Sequence, residues 1–363
     1  MGKNTDEVLA RLEHLGNPSK EDLIALIQSK GKDEDNVFEC ADRVRSRHMG
    51  DEVHLRGIIE FSNYCVKNCL YCGLRRDNRT LERYRMSAEE ILDAAREGAQ
   101  AGLKTIVLQS GEDPFYTGEM LAGLIVRLKE EHGVAVTVSV GDRKKADYRL
   151  MRKAGADRYL LKHETADPEL FTKLRPGTTL EGRIRRLVWL KELGYQVGSG
   201  NMVGLPGQTI ESIADDILLL RELDVEMAGI GPFIPHYGTP LAGCTTGDVG
   251  MTLKVLAVAR IALPFTHLPA TTALGSIHPE GRQLALARGA NVVMPDITPV
   301  RYKKLYEIYP NKICITEEGP IQCVPCISGI ILQSGRSIAT DYGHSRKPAP
   351  YGSSGREGTI KRG

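Results

Sequence analysis

The chain has 363 residues, 41% of them hydrophobic and 26% charged, with a formal net charge of +2. That length suits one large α/β barrel with extensions or a pair of domains. The charge excludes the broad basic footprint of a nucleic-acid binder. No run approaches the roughly 18 apolar residues of a membrane span, and the N-terminus has no apolar signal-type core, so a cytoplasmic chain without a membrane partner is expected.

The first 50 residues read as a helical extension. Ser19-Lys20-Glu21-Asp22 ahead of Leu23, Ile24, Leu26 and Ile27 has the form of a capping box. A further helix spans about 33–48 and ends at Gly50, with Cys40 as a packed thiol. From Val53 strand patterns alternate with helical ones. Strands are expected at 53–62, 105–109, 134–140, 158–163, 196–203, 227–231, 270–274 and 291–294. Amphipathic helices are expected at 88–101, 119–131, 145–154, 180–193, 210–223, 252–263 and 280–288. Such alternation implies a parallel sheet. Eight strands with seven helices imply a closed (β/α)8 barrel of TIM type over 51–310. The alternative is an open doubly wound sheet, but no glycine-rich dinucleotide fingerprint follows the first strand. Residues 311–343 form a C-terminal cysteine-containing segment, and 344–363 read as a flexible basic tail.

The eight cysteines are grouped rather than spread as in a disulfide framework. Cys65, Cys69 and Cys72 spell C-x3-C-x2-C directly after the first strand. Three thiolates on one tight loop can hold three corners of a 4Fe–4S cubane and leave the fourth iron open. Ordinary ferredoxin clusters and structural zinc sites use four protein ligands. A zinc knuckle with a distant fourth ligand, or thiols that merely pack, is the structural alternative. The spacing, with Tyr71 before the last cysteine, resembles the radical S-adenosylmethionine (SAM) signature.

Barrel sites form at the C-terminal ends of strands, and polar and glycine residues gather there. Ser110-Gly111-Glu112 offers backbone groups and a carboxylate to an ammonium; otherwise it is a turn with a solvated acid. Thr137 and Ser139, two apart, share a strand face. Glu164 is a candidate for a ribose or the positive end of SAM, or an exposed strand-end acid. Arg183 suits the SAM carboxylate, although most such arginines are surface charges. Gly204-Leu205-Pro206-Gly207 offers backbone groups to an adenine edge, yet is also an ordinary turn. Thr271 and Thr272 suit a carboxylate deep in the barrel or satisfy each other in the core. His236 reads as a satisfied rim histidine.

Together, the segments 60–78, Leu108–Asp113, Lys162–Ala166, Met202–Thr209, Gly231–His236 and Pro269–Ala273 resemble the FeFe-hydrogenase maturase family HydE. That resemblance runs from about Asp51 to Cys326. It implies a 4Fe–4S cluster on Cys65, Cys69 and Cys72, and SAM contacts at Gln109, Thr137, Ser139, Glu164, Arg183, Met202 and Leu205. It further implies an anion-binding site at Thr271 and Thr272 with Arg158 nearby. The family acts in assembling the diiron site of hydrogenase on a small organometallic iron–cysteine–carbonyl–cyanide precursor. It works beside the maturases HydG and HydF, with a reductant such as ferredoxin or flavodoxin. Cys314, Cys323 and Cys326 are candidates for a second iron–sulfur cluster, 2Fe–2S or 4Fe–4S, or a vestigial or zinc-binding set. Rival expectations are a methylornithine synthase-like or biotin synthase-like enzyme, and a non-enzymatic iron–sulfur carrier.

Overall fold

The computed structural model describes residues 4–15, 17–313 and 323–348. Its strands are β1 (Glu52–Ser62), β2 (Thr105–Ser110), β3 (Ala135–Ser139), β4 (Arg158–Leu160), β5 (Gln196–Ser199), β6 (Met202–Val203), β7 (Met227–Ala228), β8 (Gly231–Pro232), β9 (Val292–Val293) and β10 (Ser337–Ile338). β1 is mostly buried, as a parallel strand covered on both faces must be. Pairing is parallel through β1, β2, β3, β4, β5 and β7. Isolated bridges Met227–His267 and Pro269–Val292 then carry the ring to β9, which pairs with β1. The result is the expected closed barrel. Its seventh stave is two bridging residues, and β10 sits outside it against the start of β1.

Four expected strands differ. The stretch 270–274 is not one: Pro269 has no N–H to donate, and Thr271 caps the helix Thr272–Ile277, its hydroxyl accepting from the Leu274 N–H at 3.4 Å. The stretches 196–203 and 227–231 each break in two. Gly200 has φ 151°, and a Cβ there would lie 2.1 Å from the Gly229 carbonyl oxygen, so only glycine permits the approach. Beyond the break β6 pairs with β8 as a separate ribbon at the rim. β4 stops at Leu160, short of the expected 163.

The amphipathic helices lie close to their expected bounds, with serine, threonine or aspartate side chains capping Ala88–Gln100, Gly118–His132, Leu180–Glu192, Ile210–Glu222 and Val249–Ala262. The Ser19–Asp22 capping box is formed. The N-terminal helices share one apolar core with the barrel, Leu23, Leu26, Val37 and Cys40 packing with Ile213, Ile217 and Leu256. Burial pushes the Cys40 thiol up to about 12, as for a packed thiol. Among the described residues no helix is long and apolar enough to cross a membrane.

The end of the described chain corrects an expectation. Residues 344–348, the described part of the stretch 344–363 expected as a flexible basic tail, strap the N-terminal mouth of the barrel. The Gln196 amide nitrogen lies 2.9 Å from His344 Nδ1, and the Gln196 side-chain oxygen accepts the Ser345 N–H at 2.9 Å. Arg346 donates to the Met49 carbonyl at 2.7 Å, and Lys347 to that of Asp224 at 2.7 Å. Backbone and polar tips provide this anchorage, which an apolar-pattern reading does not detect.

Candidate functional site

The cysteine loop leaves β1 and is held from several sides. The N–H groups of Val66, Leu70 and Gly73 donate to the carbonyls of Glu112, Leu174 and Ile308 at 2.9–3.0 Å. The loop after β2 presses against it. A Cβ on Gly111 would lie 2.1 Å from the Tyr64 carbonyl oxygen, so this contact requires glycine. Asp113, fully buried, accepts from the Ser62 hydroxyl at 2.7 Å and from Arg85 at 2.7 and 3.0 Å. Burial alone would raise its carboxyl, but these hydrogen bonds hold it below the usual carboxylate range. The Arg85 guanidinium also lies 3.8 Å over the Tyr64 ring.

Cys65, Cys69 and Cys72 line one cavity of about 390 Å³ inside the barrel, within the size range of ordinary ligand sites. Burial raises all three thiols, while the Glu112 N–H, 3.4 Å from Cys65 Sγ, acts the other way on Cys65. Gln109, Ser110, Gly111, Glu112, Thr137, Ser139, Glu164, Arg183, Met202, Thr271 and Thr272 line the same cavity. The structure therefore brings together most of the residues singled out by sequence.

The rim is a mesh of opposite charges. Glu112 lies 3.4 Å from Lys67 and 3.5 Å from Arg175. Arg175 donates to the Tyr71 hydroxyl at 2.8 Å and lies 3.9 Å from Glu164. Glu164 is also 3.7 Å from Lys162. Its φ of 67° is in the left-handed region, unusual for a side chain of this size. Arg183 donates to the Lys162 carbonyl at 3.1 Å and faces Asp142 at 3.5 Å. Among the described residues Thr137 Oγ1 is buried without a partner, so this hydroxyl can still bond to a ligand.

Two expected contacts fall elsewhere. Arg158 is fully buried at the opposite end of the barrel and donates to the carbonyls of Tyr342 and Gly343 at 2.6 and 2.8 Å. It serves the C-terminal strap, not a site beside Thr271 and Thr272. Leu205 packs with Leu170, Leu174 and Phe233 in an apolar cluster against which Met202 rests. His236 is satisfied as expected, 3.2 Å from Glu307 and accepting the Gly238 N–H. Of the second cysteine group, Cys314 and the Cys323 side chain lie outside the described residues, while Cys326 is exposed on the helix Cys323–Gln333.

The donor set fits a cluster of several irons. A cubane spreads three thiolates over three separate irons, and soft sulfur ligands suit it. The cavity beside the thiols offers the unpartnered Thr137 hydroxyl and the Glu164 carboxylate.

Sequence reasoning missed Arg175, Lys67 and Asp142. Arg175 caps the helix Pro168–Leu174, so nothing in its periodicity marks an inward side chain. A second buried trio was also missed: Lys312 pairs with Glu60 and, at 3.0 Å, with Asp296 on the cavity wall. Burial and the Asp296 charge push Glu60 up to about 8.

Comparison with known proteins matches residues 59–220 to the family model "Radical SAM superfamily". The [FeFe] hydrogenase maturase subunit HydE of Thermotoga maritima is 51% identical over 346 residues, covering 95% of this chain and 98% of that one. The 3-methylornithine synthase of Methanosarcina acetivorans is 33% identical over 278 residues, covering 76% and 78%. Among solved structures, methylornithine synthase superposes with a TM-score of 0.80 at 28% identity, covering 92% of this chain and 97% of the other. The maturase HydG gives 0.79 at 18% identity, covering 93% and 76%, and supports the fold alone.

Proposed function

The chain belongs to the radical SAM superfamily and, within it, to the HydE family of [FeFe] hydrogenase maturases, and on that premise we propose that Cys65, Cys69 and Cys72 hold a 4Fe–4S cluster beside a SAM site on the rim. When bound, the cluster and SAM together supply a 5′-deoxyadenosyl radical by one-electron cleavage of the sulfonium. What supports this most is one cavity shared by the three thiols and by Thr137, Glu164 and Arg183.

The protein's own part is binding, orientation and exclusion of water. Gln109, Ser110, Gly111, Glu112, Thr137, Ser139, Glu164, Arg183 and Met202 are assigned to SAM. Leu205 is assigned only a supporting place behind Met202. Lys67 and Arg175 hold Glu112, and Arg175 and Lys162 flank Glu164, so neither carboxylate faces the cavity unpaired.

The remaining cavity, reaching to Thr271 and Thr272, is assigned to a sulfur-containing iron–cysteine–carbonyl–cyanide precursor in hydrogenase maturation. HydG and HydF are the proposed partner maturases, with ferredoxin or flavodoxin as reductant. Cys314, Cys323 and Cys326 are assigned an auxiliary iron–sulfur cluster. The 33% identity to 3-methylornithine synthase supplies the second reading, with lysine as substrate.

The test is anaerobic. The protein is reconstituted with iron and sulfide, reduced and given SAM, and 5′-deoxyadenosine is assayed by mass. Formation that disappears in Cys69→Ala supports the assignment, and unchanged formation in that variant overturns it. Restored hydrogenase activity in a maturation mixture lacking HydE supports the maturase role, whereas turnover of lysine moves it to the second reading. Iron counts in Cys326→Ala that equal wild type overturn the auxiliary cluster.

A further inference from the structure

The inward face of the helix Ile210–Glu222 carries Ile213, Ile217 and Leu220, all buried in the apolar core. Asp216 is also fully buried there. An aspartate is seldom fully buried unless partners repay its desolvation, so its partners are informative. Asp216 Oδ1 accepts the Ala166 N–H and lies 3.4 Å from His163 Nε2. Its Oδ2 accepts from the Asn201 side chain at 2.9 Å and from Gln208 at 3.5 Å. One carboxylate thus clamps two loops, the one after β4 and the one joining β5 to β6.

The first of these loops carries Glu164, and the second leads into Met202 at the start of β6. Glu164 donates its N–H to the Gly200 carbonyl at 2.9 Å and accepts the Met202 N–H at 3.0 Å. Gln208 continues the clamp by donating to the Met202 carbonyl at 2.8 Å. A non-glycine residue in the left-handed region is strained and persists only where its surroundings over-determine it. The Asp216 network supplies that constraint from behind the cavity, since Asp216 is absent from the cavity wall.

We propose that Asp216 is a positioning residue that fixes the backbone of Glu164 and Met202 for SAM binding. This rests on the assignment of Glu164 to SAM given above. Asp216→Asn keeps the shape but replaces one accepting oxygen with a donor, so one of the two loops loses its tie. SAM affinity should fall roughly tenfold, the effect of one charge-assisted hydrogen bond.

The experiment measures SAM binding to the reconstituted protein by equilibrium dialysis, alongside KM and kcat for 5′-deoxyadenosine formation and thermal stability. Leu220→Ala, in the same helix and core, controls for destabilisation alone. The expected result is a raised Kd and KM in Asp216→Asn, with kcat less affected, and a Leu220→Ala variant that is less stable but binds SAM as wild type does. Wild-type affinity in Asp216→Asn, or an equal loss in Leu220→Ala, overturns the inference. Glu164→Gln separates the two levels. If it leaves SAM binding intact, the assignment of Glu164 itself fails; if it weakens binding while Asp216→Asn does not, only the positioning role fails. Should Asp216→Asn not fold, Asn201→Ala, which removes one donor to the same carboxylate, should weaken binding in the same direction; unchanged binding in it overturns the proposal.

Discussion

Both ends of the barrel bury arginines, but the two ends use them differently. At the C-terminal rim Arg175 and Arg183 face carboxylates and the cavity wall. At the N-terminal floor Arg56 and Arg158 face carbonyls of the chain's own C-terminal strap, both reaching Gly343. Burial lowers Arg56 and Arg158 from the ordinary guanidinium value, helped at Arg56 by the Arg158 charge, while Asp341 acts the other way on both and Asp157 on Arg158. His54 and His267 beside them are pushed down by burial and the arginine charges, His54 to about 4, so both stay neutral at physiological pH. Arg56 also reaches the wall of the same cavity whereas Arg158 does not, so burial of an arginine does not by itself mark a ligand site. At the floor the acceptors that the two arginines reach belong to the protein itself.

The largest effect that would break this contrast is at the rim. Cys69→Ala should reduce 5′-deoxyadenosine formation to background, whereas no floor substitution should do so; the measurement is product by mass after reconstitution. Arg175→Ala removes the cation that Tyr71, Glu112 and Glu164 share. SAM affinity should drop roughly thirtyfold or more, about 2 kcal/mol, as equilibrium dialysis would show. Arg158→Ala should do the opposite. It loses its ties to Tyr342, Gly343 and Thr105, a cost of about 2–4 kcal/mol in denaturant unfolding, yet SAM affinity should stay unchanged. A SAM affinity shift in that variant would return Arg158 to the site.

The most gradual predicted effect, spread over several pH units, lies between the two ends. Glu60 moves from 4.5 to about 8 on folding because of burial and the Asp296 charge. The folded state then binds more protons than the unfolded chain between these values. Stability should fall as pH rises through that window, by at most about 1.4 kcal/mol per pH unit for one proton. Glu60→Gln should flatten the profile, measured by urea unfolding at several pH values.

Much of this was legible in sequence. Helix bounds followed from Ser, Thr and Asp caps and apolar periodicity, which act within a few residues. The C-x3-C-x2-C loop and the Ser110–Glu112 turn stood out because their chemistry is concentrated in short runs. The broken strands were less legible, because Gly200 matters only through a contact with Gly229 from the next strand. Arg158 was misplaced for the same reason: its position on β4 says nothing about what covers the barrel floor.

The sequence by itself determined the parallel (β/α)8 alternation, the three-thiolate loop and the rim that carries most of the cavity residues. These rest on local spacing, caps and the end of the strand at which side chains emerge. Only the tertiary structure decided that Arg175 joins Glu112 to Glu164, that Asp216 clamps two loops from behind, and that residues 342–347 seal the floor. Each of these depends on groups far apart in the chain meeting in a low-dielectric interior, where a buried charge must find a partner, and no local pattern encodes which partner it finds.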